Sequence, residues 1–327
     1  MKLYSENEAI ERMNRLCAEK KPFIFFISYD KTQTYIEEID DVNSAEVWYN
    51  FCGKTNKADT ESENIKKIEW KVYTESFSNY TKAFEVIHRN IMYGNSFLTN
   101  LTRKTKVSTN LTLEQIFLHS KAPYRLYVKD KFCVFSPEIF VRINKGIIRS
   151  YPMKGTISAD INNAVDTIMK DEKEMAEHAT IVDLIRNDIG MVANNIEVTK
   201  YRYIDKIVTN KGAVYQTSSE ISGEIDLKLK DKLGSVLFRL LPAGSITGAP
   251  KKKTMEIIAE AEGYERGFYT GVMGIFDGEN TDSAVMIRFI ENIEGEKVYK
   301  SGGGITCNSD PQKEYEEVID KIYVPIC

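Results

Sequence analysis

The sequence predicts an α+β protein built on antiparallel sheets, and three observations carry that expectation. Strand-like runs come in hairpin-like blocks with helical stretches between the blocks, not after every strand. The chain has 327 residues, 42% of them apolar, enough to bury a large core. It shows no internal repeat and no low-complexity segment.

In order, residues 5–20 read as a helix. The apolar run 22–27 reads as a buried strand, with 34–39 as its hairpin partner. Residues 53–67 (GKTNKADTESENIKK) are polar and read as a loop. A helix follows at 78–92, then strands at 97–107, 125–128, 132–135, 139–143 and 146–150. From 160 to about 192 the pattern is helical, and strands return at 204–208 and 219–225. Helices at 231–240 and 251–262 flank a glycine-rich corner. Strands at 271–276, 283–290 and 297–300 precede a last helix at 311–322.

Bulk composition excludes several classes. A net charge of -4 lacks the basic footprint of a nucleic-acid-binding domain. Cys17, Cys52, Cys133, Cys307 and Cys327 are scattered, odd in number and never paired as C-x-x-C. That fits a reducing compartment and argues against a thiolate zinc site. The three histidines, His88, His119 and His178, form no H-E-x-x-H. No early apolar leader and no membrane-length apolar run is present, so a soluble cytoplasmic protein without membrane contact is expected.

Five places in the chain can carry chemistry. Lys154 lies in Ser150-Tyr151-Pro152-Met153-Lys154-Gly155-Thr156, where a strand breaks at a proline and turns at a glycine. Such a corner can hold one side chain rigidly at a cleft; a solvated surface lysine is the plain alternative. Glu174 and Glu177 are three apart, hence on one helical face, either a solvated acidic face or the rim of a buried region. Glu314 and Glu317 repeat the pair on a helix that Asp310 can cap and Pro311 can begin. If the two pairs converge, their repulsion calls for a cation, and Mg²⁺ suits few carboxylates and an oxygen-rich substrate. Lys321, one turn beyond Glu317, is either an anion contact or a helix-end lysine. The run Ser301-Gly302-Gly303-Gly304 either lets backbone amides approach an anion or is a flexible turn. The loop 241–251 (LPAGSITGAPK) ends at a helix start that favours an anion, but it lacks the G-x-x-x-x-G-K-[ST] phosphate loop.

Together these runs resemble the chorismate-utilising enzymes: anthranilate, aminodeoxychorismate, isochorismate and salicylate synthases. The residues are SPEIF (136–140), YPMKGT (151–156), DEKEMAEHATIVDLIRNDIG (171–190), LLPAGSITGAPKKKTMEII (240–258), RGFYTGVMGIFD (266–277), AVMIRFI (284–290) and GGGITCNSDPQKEYEEVIDK (302–321). The resemblance implies a single domain over residues 1–327: a shortened N-terminal portion, 1–74, and a motif-bearing part, 75–325. It implies two antiparallel sheets sandwiched between helical layers, with the active site deep between them. It also implies roles. Glu177 and Glu317 match direct Mg²⁺ ligands, with Glu174 and Glu314 behind them through water. Arg288, Tyr269, Lys321, Ser245 and the Gly303 and Gly304 amides match contacts to the two carboxylates of chorismate. Glu138 matches the general acid for the departing C4 hydroxyl, a task that needs a raised pKa.

Lys154 selects within the family. Alanine is typical there in anthranilate, isochorismate and salicylate synthases, whereas lysine resembles aminodeoxychorismate synthase component I. The implied chemistry is attack of the neutral Lys154 amine on C2, then addition of ammonia at C4, with the ammonia supplied by a glutamine amidotransferase subunit. That requires a lowered lysine pKa, which nearby carboxylates oppose unless Mg²⁺ neutralises them. Anthranilate synthase component I and a non-catalytic chorismate-binding protein are the alternatives. Two departures stand out: Leu98 where the family has glutamine or lysine, and Gln216 where it has a histidine near the leaving hydroxyl. The short N-terminal portion leads us to expect no tryptophan inhibition.

Overall fold

The structure, a computed structural model, describes residues 1–57, 67–209 and 212–326. Most of the polar 53–67 stretch, from 58 to 66, and Cys327 therefore lie outside the described residues. The chain opens with α1 (Glu6–Ala18), β1 (Phe23–Ile27), β2 (Thr34–Glu38), β3 (Val47–Phe51), β4 (Lys54–Thr55) and β5 (Trp70–Tyr73). It continues through α2 (Phe77–Met92), β6 (Leu98–Thr109), α3 (Leu113–His119), β7 (Tyr124–Val128), β8 (Phe132–Ser136), β9 (Ile139–Asn144), β10 (Ile147–Ser150) and β11 (Met153–Ser158). Next come α4 (Ala164–Lys170), α5 (Glu172–Gly190), β12 (Ala193–Thr209), β13 (Gly212–Ile225), α6 (Leu233–Leu240) and β14 (Gly248–Ala249). The last elements are α7 (Lys251–Glu262), β15 (Val272–Phe276), β16 (Thr281–Val285), β17 (Phe289–Ile293), β18 (Glu296–Ile305) and α8 (Pro311–Asp320).

Two antiparallel sheets result. One runs β11-β13-β10-β9-β16-β15-β1-β2, with β12 on β13; the other runs β14-β6-β18-β17-β8-β7-β3-β4, with β5 on β6. Strand alternation explains how they stack. On β1, Ile24 and Phe26 face a cluster shared with Val47, Leu126, Phe132 and Val134 of the second sheet, while Phe23, Phe25 and Ile27 face α1, α5 and α6. On β8, Cys133 and Phe135 turn outward to α3. Helices α2, α7 and α8 close over β6 and β18. The layering is helices, sheet, sheet, helices, as expected.

Four local expectations are corrected. The stretch 160–192 is two helices, because Asp171 (φ -66°, ψ 112°) leaves helical geometry and caps α5 by accepting from Glu174 N at 2.9 Å. The strand expected over 283–290 breaks at Arg288, whose φ of +55° is left-handed. The glycines 302–304 form no turn; they lie within β18, paired to β6. Lys154 is not on a turn either. β10 and β11 follow one another along β13, and Gly155 (φ +80°) makes a bulge between Lys154 and Thr156.

Candidate active site

The two acid helices do converge, and they converge on Lys154. The α5 helix presents Glu174 and Glu177; α8, capped by Asp310 accepting from Lys313 N at 2.9 Å, presents Glu314 and Glu317. Lys154 Nζ lies 2.9 Å from Glu177 Oε2, and Lys173 Nζ lies 3.6 Å from Glu177 Oε1. Lys321 Nζ donates to Glu317 Oε1 at 2.6 Å and to Gly302 O at 2.8 Å, and so ties α8 to β18. Ser309 Oγ donates to Glu314 Oε1 at 2.8 Å. Two glycines make room for these carboxylates. A Cβ on Gly155 would stand 2.8 Å from Glu174 Oε2, and one on Gly303 would stand 3.4 Å from Glu314 Oε2.

The charges are not balanced. Glu174 Oε2 is buried without a hydrogen-bond partner. Burial first, and then the Glu177 charge, push the Glu174 carboxyl above its ordinary range, against Lys154. Burial likewise raises Glu314, opposed by Ser309 and reinforced by Glu317 and Glu177. For Glu317 burial also pushes up, but Lys321, Lys154 and Lys173 outweigh it and the carboxyl falls below its ordinary range. Burial favours the neutral Lys154 amine, yet Glu177, Glu317 and Glu174 together outweigh burial and hold the ammonium above its ordinary value.

These residues fit a hard cation. All four donors are carboxylates, one buried oxygen is unpartnered, and two carboxyls are raised in part by mutual repulsion. Among the described residues no three His, Cys, Asp or Glu groups form a ready cage. The ammonium groups of Lys154, Lys173 and Lys321 are the positive charges beside these carboxylates.

A second cluster gathers around Glu138, between β8 and β9. Ser245 Oγ donates to Glu138 Oε1 at 2.8 Å. Burial raises the Glu138 carboxyl against the pull of Ser245, Arg288 and Lys321. A general acid needs that direction of shift. Arg288 Nε is buried without a partner, and its guanidinium lies 5.3 Å from the Tyr323 ring centroid. Tyr269 is buried with its ring centroid 5.8 Å from that of Phe289, and burial raises its hydroxyl pKa. The β17 pairing ends at Phe289 opposite Lys300, so Gly303 and Gly304 are paired only to β6 among the described pairings. Leu98 is close by: its Cδ1 would lie 3.2 Å from a Cβ on Gly304.

Gln216 is not brought into either cluster. Its amide reaches Thr156 Oγ1 at 3.5 Å, a long contact. Alternation along β13 turns it away from the face that carries Thr217 and Ser219.

Two residues were missed as site candidates. His178 is fully buried, with Nε2 2.7 Å from Ser219 Oγ, and burial plus Arg202 lower its pKa to about 4. Asp188 pairs with Lys251 at 2.8 Å and accepts from Gly244 N at 3.2 Å, so it pins the turn that carries Ser245. The available signal was a charged residue on an apolar helical stripe: Asp188 is one turn on from Leu184 and next to Ile189, both buried.

Comparison with known proteins adds the family. Residues 9–326 match the family described as chorismate binding enzyme. An "Uncharacterized PabA-like protein" of Haemophilus influenzae is 45% identical over 317 residues, 97% of this chain and 96% of that one. Aminodeoxychorismate synthase component 1 of Bacillus subtilis is 33% identical over 262 residues, 75% of this chain and 54% of that one. The crystal structure of anthranilate synthase component I from Streptococcus pneumoniae superposes with a TM-score of 0.66 at 26% identity, covering 82% of this chain and 60% of that one. Among the described residues no helix is long and apolar enough to cross a membrane. A match over nearly its whole length, on a fold that aims two acid helices at one lysine, means that the chain belongs to the chorismate binding enzymes.

Proposed function

We propose that this chain, acting as a single catalytic domain, converts chorismate and ammonia to 4-amino-4-deoxychorismate. The observation that carries the reading is Lys154, an amine held 2.9 Å from Glu177 where the two acid helices meet. Arg288, Tyr269, Ser245, Lys321 and the Gly303 and Gly304 amides bind and orient the carboxylates of chorismate, Arg288 in bidentate fashion. The neutral Lys154 amine attacks C2 while Glu138 gives its proton to the departing C4 hydroxyl, which leaves as water. Ammonia then bonds to C4, the C2–lysine bond breaks with its electron pair on nitrogen, and Glu138 recovers a proton from the new ammonium.

Glu177 and Glu317 would hold Mg²⁺ directly, with Glu174 and Glu314 behind. The cation would supply charge neutralisation and a grip on the ring carboxylate. With those carboxylates neutralised, burial alone acts on Lys154 and favours the nucleophilic amine. We assign the ammonia supply to a glutamine amidotransferase partner. The test is product identification by mass spectrometry with chorismate, Mg²⁺ and excess ammonium at alkaline pH. Aminodeoxychorismate, retaining the enolpyruvyl group, is expected. Anthranilate with released pyruvate would move the chain to the anthranilate synthases, and chorismate bound without turnover would make it a binding protein.

A further inference from the structure

Lys154 is held by its backbone as well as by its amine. Its carbonyl oxygen accepts from Thr217 Oγ1 across the β11–β13 pairing, and Pro152 O, two residues earlier, accepts from Ser219 N at 3.0 Å. A third group comes from α5. His178 directly follows Glu177, is fully buried, and has the Lys154 backbone as a hydrogen-bonding neighbour. Its Nδ1 is buried and otherwise unpartnered, and its Nε2 lies 2.7 Å from Ser219 Oγ.

The bonds around Ser219 place the ring proton. Ser219 is fully buried, and its Oγ already accepts from Arg202 N at 2.9 Å. Its hydroxyl proton needs an acceptor, and among the described residues that acceptor is His178 Nε2. A proton on Nε2 would leave the Ser219 hydroxyl a buried donor with nowhere to donate, which is costly. Burial and the Arg202 charge both oppose a second proton on the ring. The single proton therefore sits on Nδ1 and faces the Lys154 carbonyl, whose second lone pair Thr217 leaves free.

We infer that His178 is a positioning residue for Lys154: as its Nδ1–H tautomer, fixed by the relay from Arg202 N–H through the Ser219 hydroxyl, it donates to the Lys154 carbonyl. The inference rests on the reading above, in which Lys154 is the nucleophile. Gly155 (φ +80°) bulges the strand straight after Lys154, so the ladder alone does not fix that peptide. One turn of α5 carries both Glu177, which meets the Lys154 amine, and His178, which meets its carbonyl, so side chain and backbone are set from the same helix.

The test joins a spectrum to two substitutions. NMR of the full chain with isotope-labelled histidine should show His178 protonated on Nδ1 and bare on Nε2; His88→Gln and His119→Gln, at positions that are not fully buried, assign the signals. His178→Asn keeps an N–H donor where Nδ1 stands, whereas His178→Gln keeps a polar group where Nε2 stands and loses that donor. His178→Gln is expected to lower kcat about thirtyfold with the KM for chorismate within about twofold, and His178→Asn to return kcat to within about threefold of the unmodified chain. A proton found on Nε2, or equal losses in the two variants, would overturn the inference, and the spectrum needs neither variant to fold. Full product formation in Lys154→Ala would remove the reading and the positioning role together. Lost product in Lys154→Ala with the proton on Nε2 removes the positioning role alone.

Discussion

Two charged regions of this molecule use the same residue types to opposite ends. In one, Arg266 and Glu262 are paired at 2.6 Å with side chains only 1% exposed. Every Arg266 donor is spent: on both Glu262 oxygens, Ile246 O, Asn100 O and Thr270 Oγ1. Glu262 Oε1 also accepts from Thr102 N at 2.7 Å. In the other region four glutamates face three lysines, Glu174 Oε2 has no partner, and the Arg288 Nε beyond is unpartnered too. A satisfied buried network is a framework, because each group would be left costly and unpaired by movement. An unsatisfied one keeps its bonding capacity for something that arrives from outside. The framework supports the site: Arg266 ties the turn of Ser245, through Ile246 O, to β6 and to the turn beside Tyr269.

The contrast can be broken most sharply at Lys154. Lys154→Ala should lower aminodeoxychorismate formation by at least about a thousandfold with chorismate binding retained, followed by product assay and equilibrium titration. Full product formation in that variant would end the covalent role. On the framework side, Arg266→Met leaves Glu262 buried and unpaired and should cost about 3–5 kcal/mol in urea unfolding. A loss within experimental error would show that the network is not the rigid half of the comparison.

The smallest effect concerns the cation. Glu174 and Glu314 have folded pKa values above their ordinary ones. Their contribution to stability is therefore present below the unfolded pKa and lost as pH rises through the folded pKa. A dication restores what is lost, so Mg²⁺ should raise the melting temperature more at about pH 8 than at about pH 5. Glu317→Gln should weaken the Mg²⁺ dependence by about tenfold or more. A melting temperature indifferent to Mg²⁺ at both pH values would take these glutamates out of the ligand set.

Much of this was legible in the chain alone. The run Phe23–Ile27, the capped start of α8 at Asp310-Pro311 and the helical spacing of Glu174 with Glu177 are local signals, because backbone geometry and capping act within a few residues. The pairing of α5 with α8 was legible only as a condition, that both acid pairs share a cation. The breaks at Arg288 and Asp171 and the strand through Gly302–Gly304 were not legible. There long-range pairing with β6 and local left-handed or capping geometry overrode the propensity of the segment.

By itself the sequence determined the α+β class, most of the helices and hairpins in their order, though not α3 (Leu113–His119), β3 (Val47–Phe51) or β5 (Trp70–Tyr73), and which side chains are chemically able to act. Tertiary structure alone decided which of them meet. It brought Lys154 to within 2.9 Å of Glu177, set Ser245 on Glu138 at 2.8 Å, pinned that turn through Asp188 and turned Gln216 aside. The reason is physical. A residue type and its spacing are properties of a short stretch, whereas a distance between α5, β11 and α8 is set by packing two sheets and their helices. The same packing sets burial and the sum of neighbouring charges, and so decides that Glu138 is raised toward an acid and that Lys154 is held as an ammonium among carboxylates.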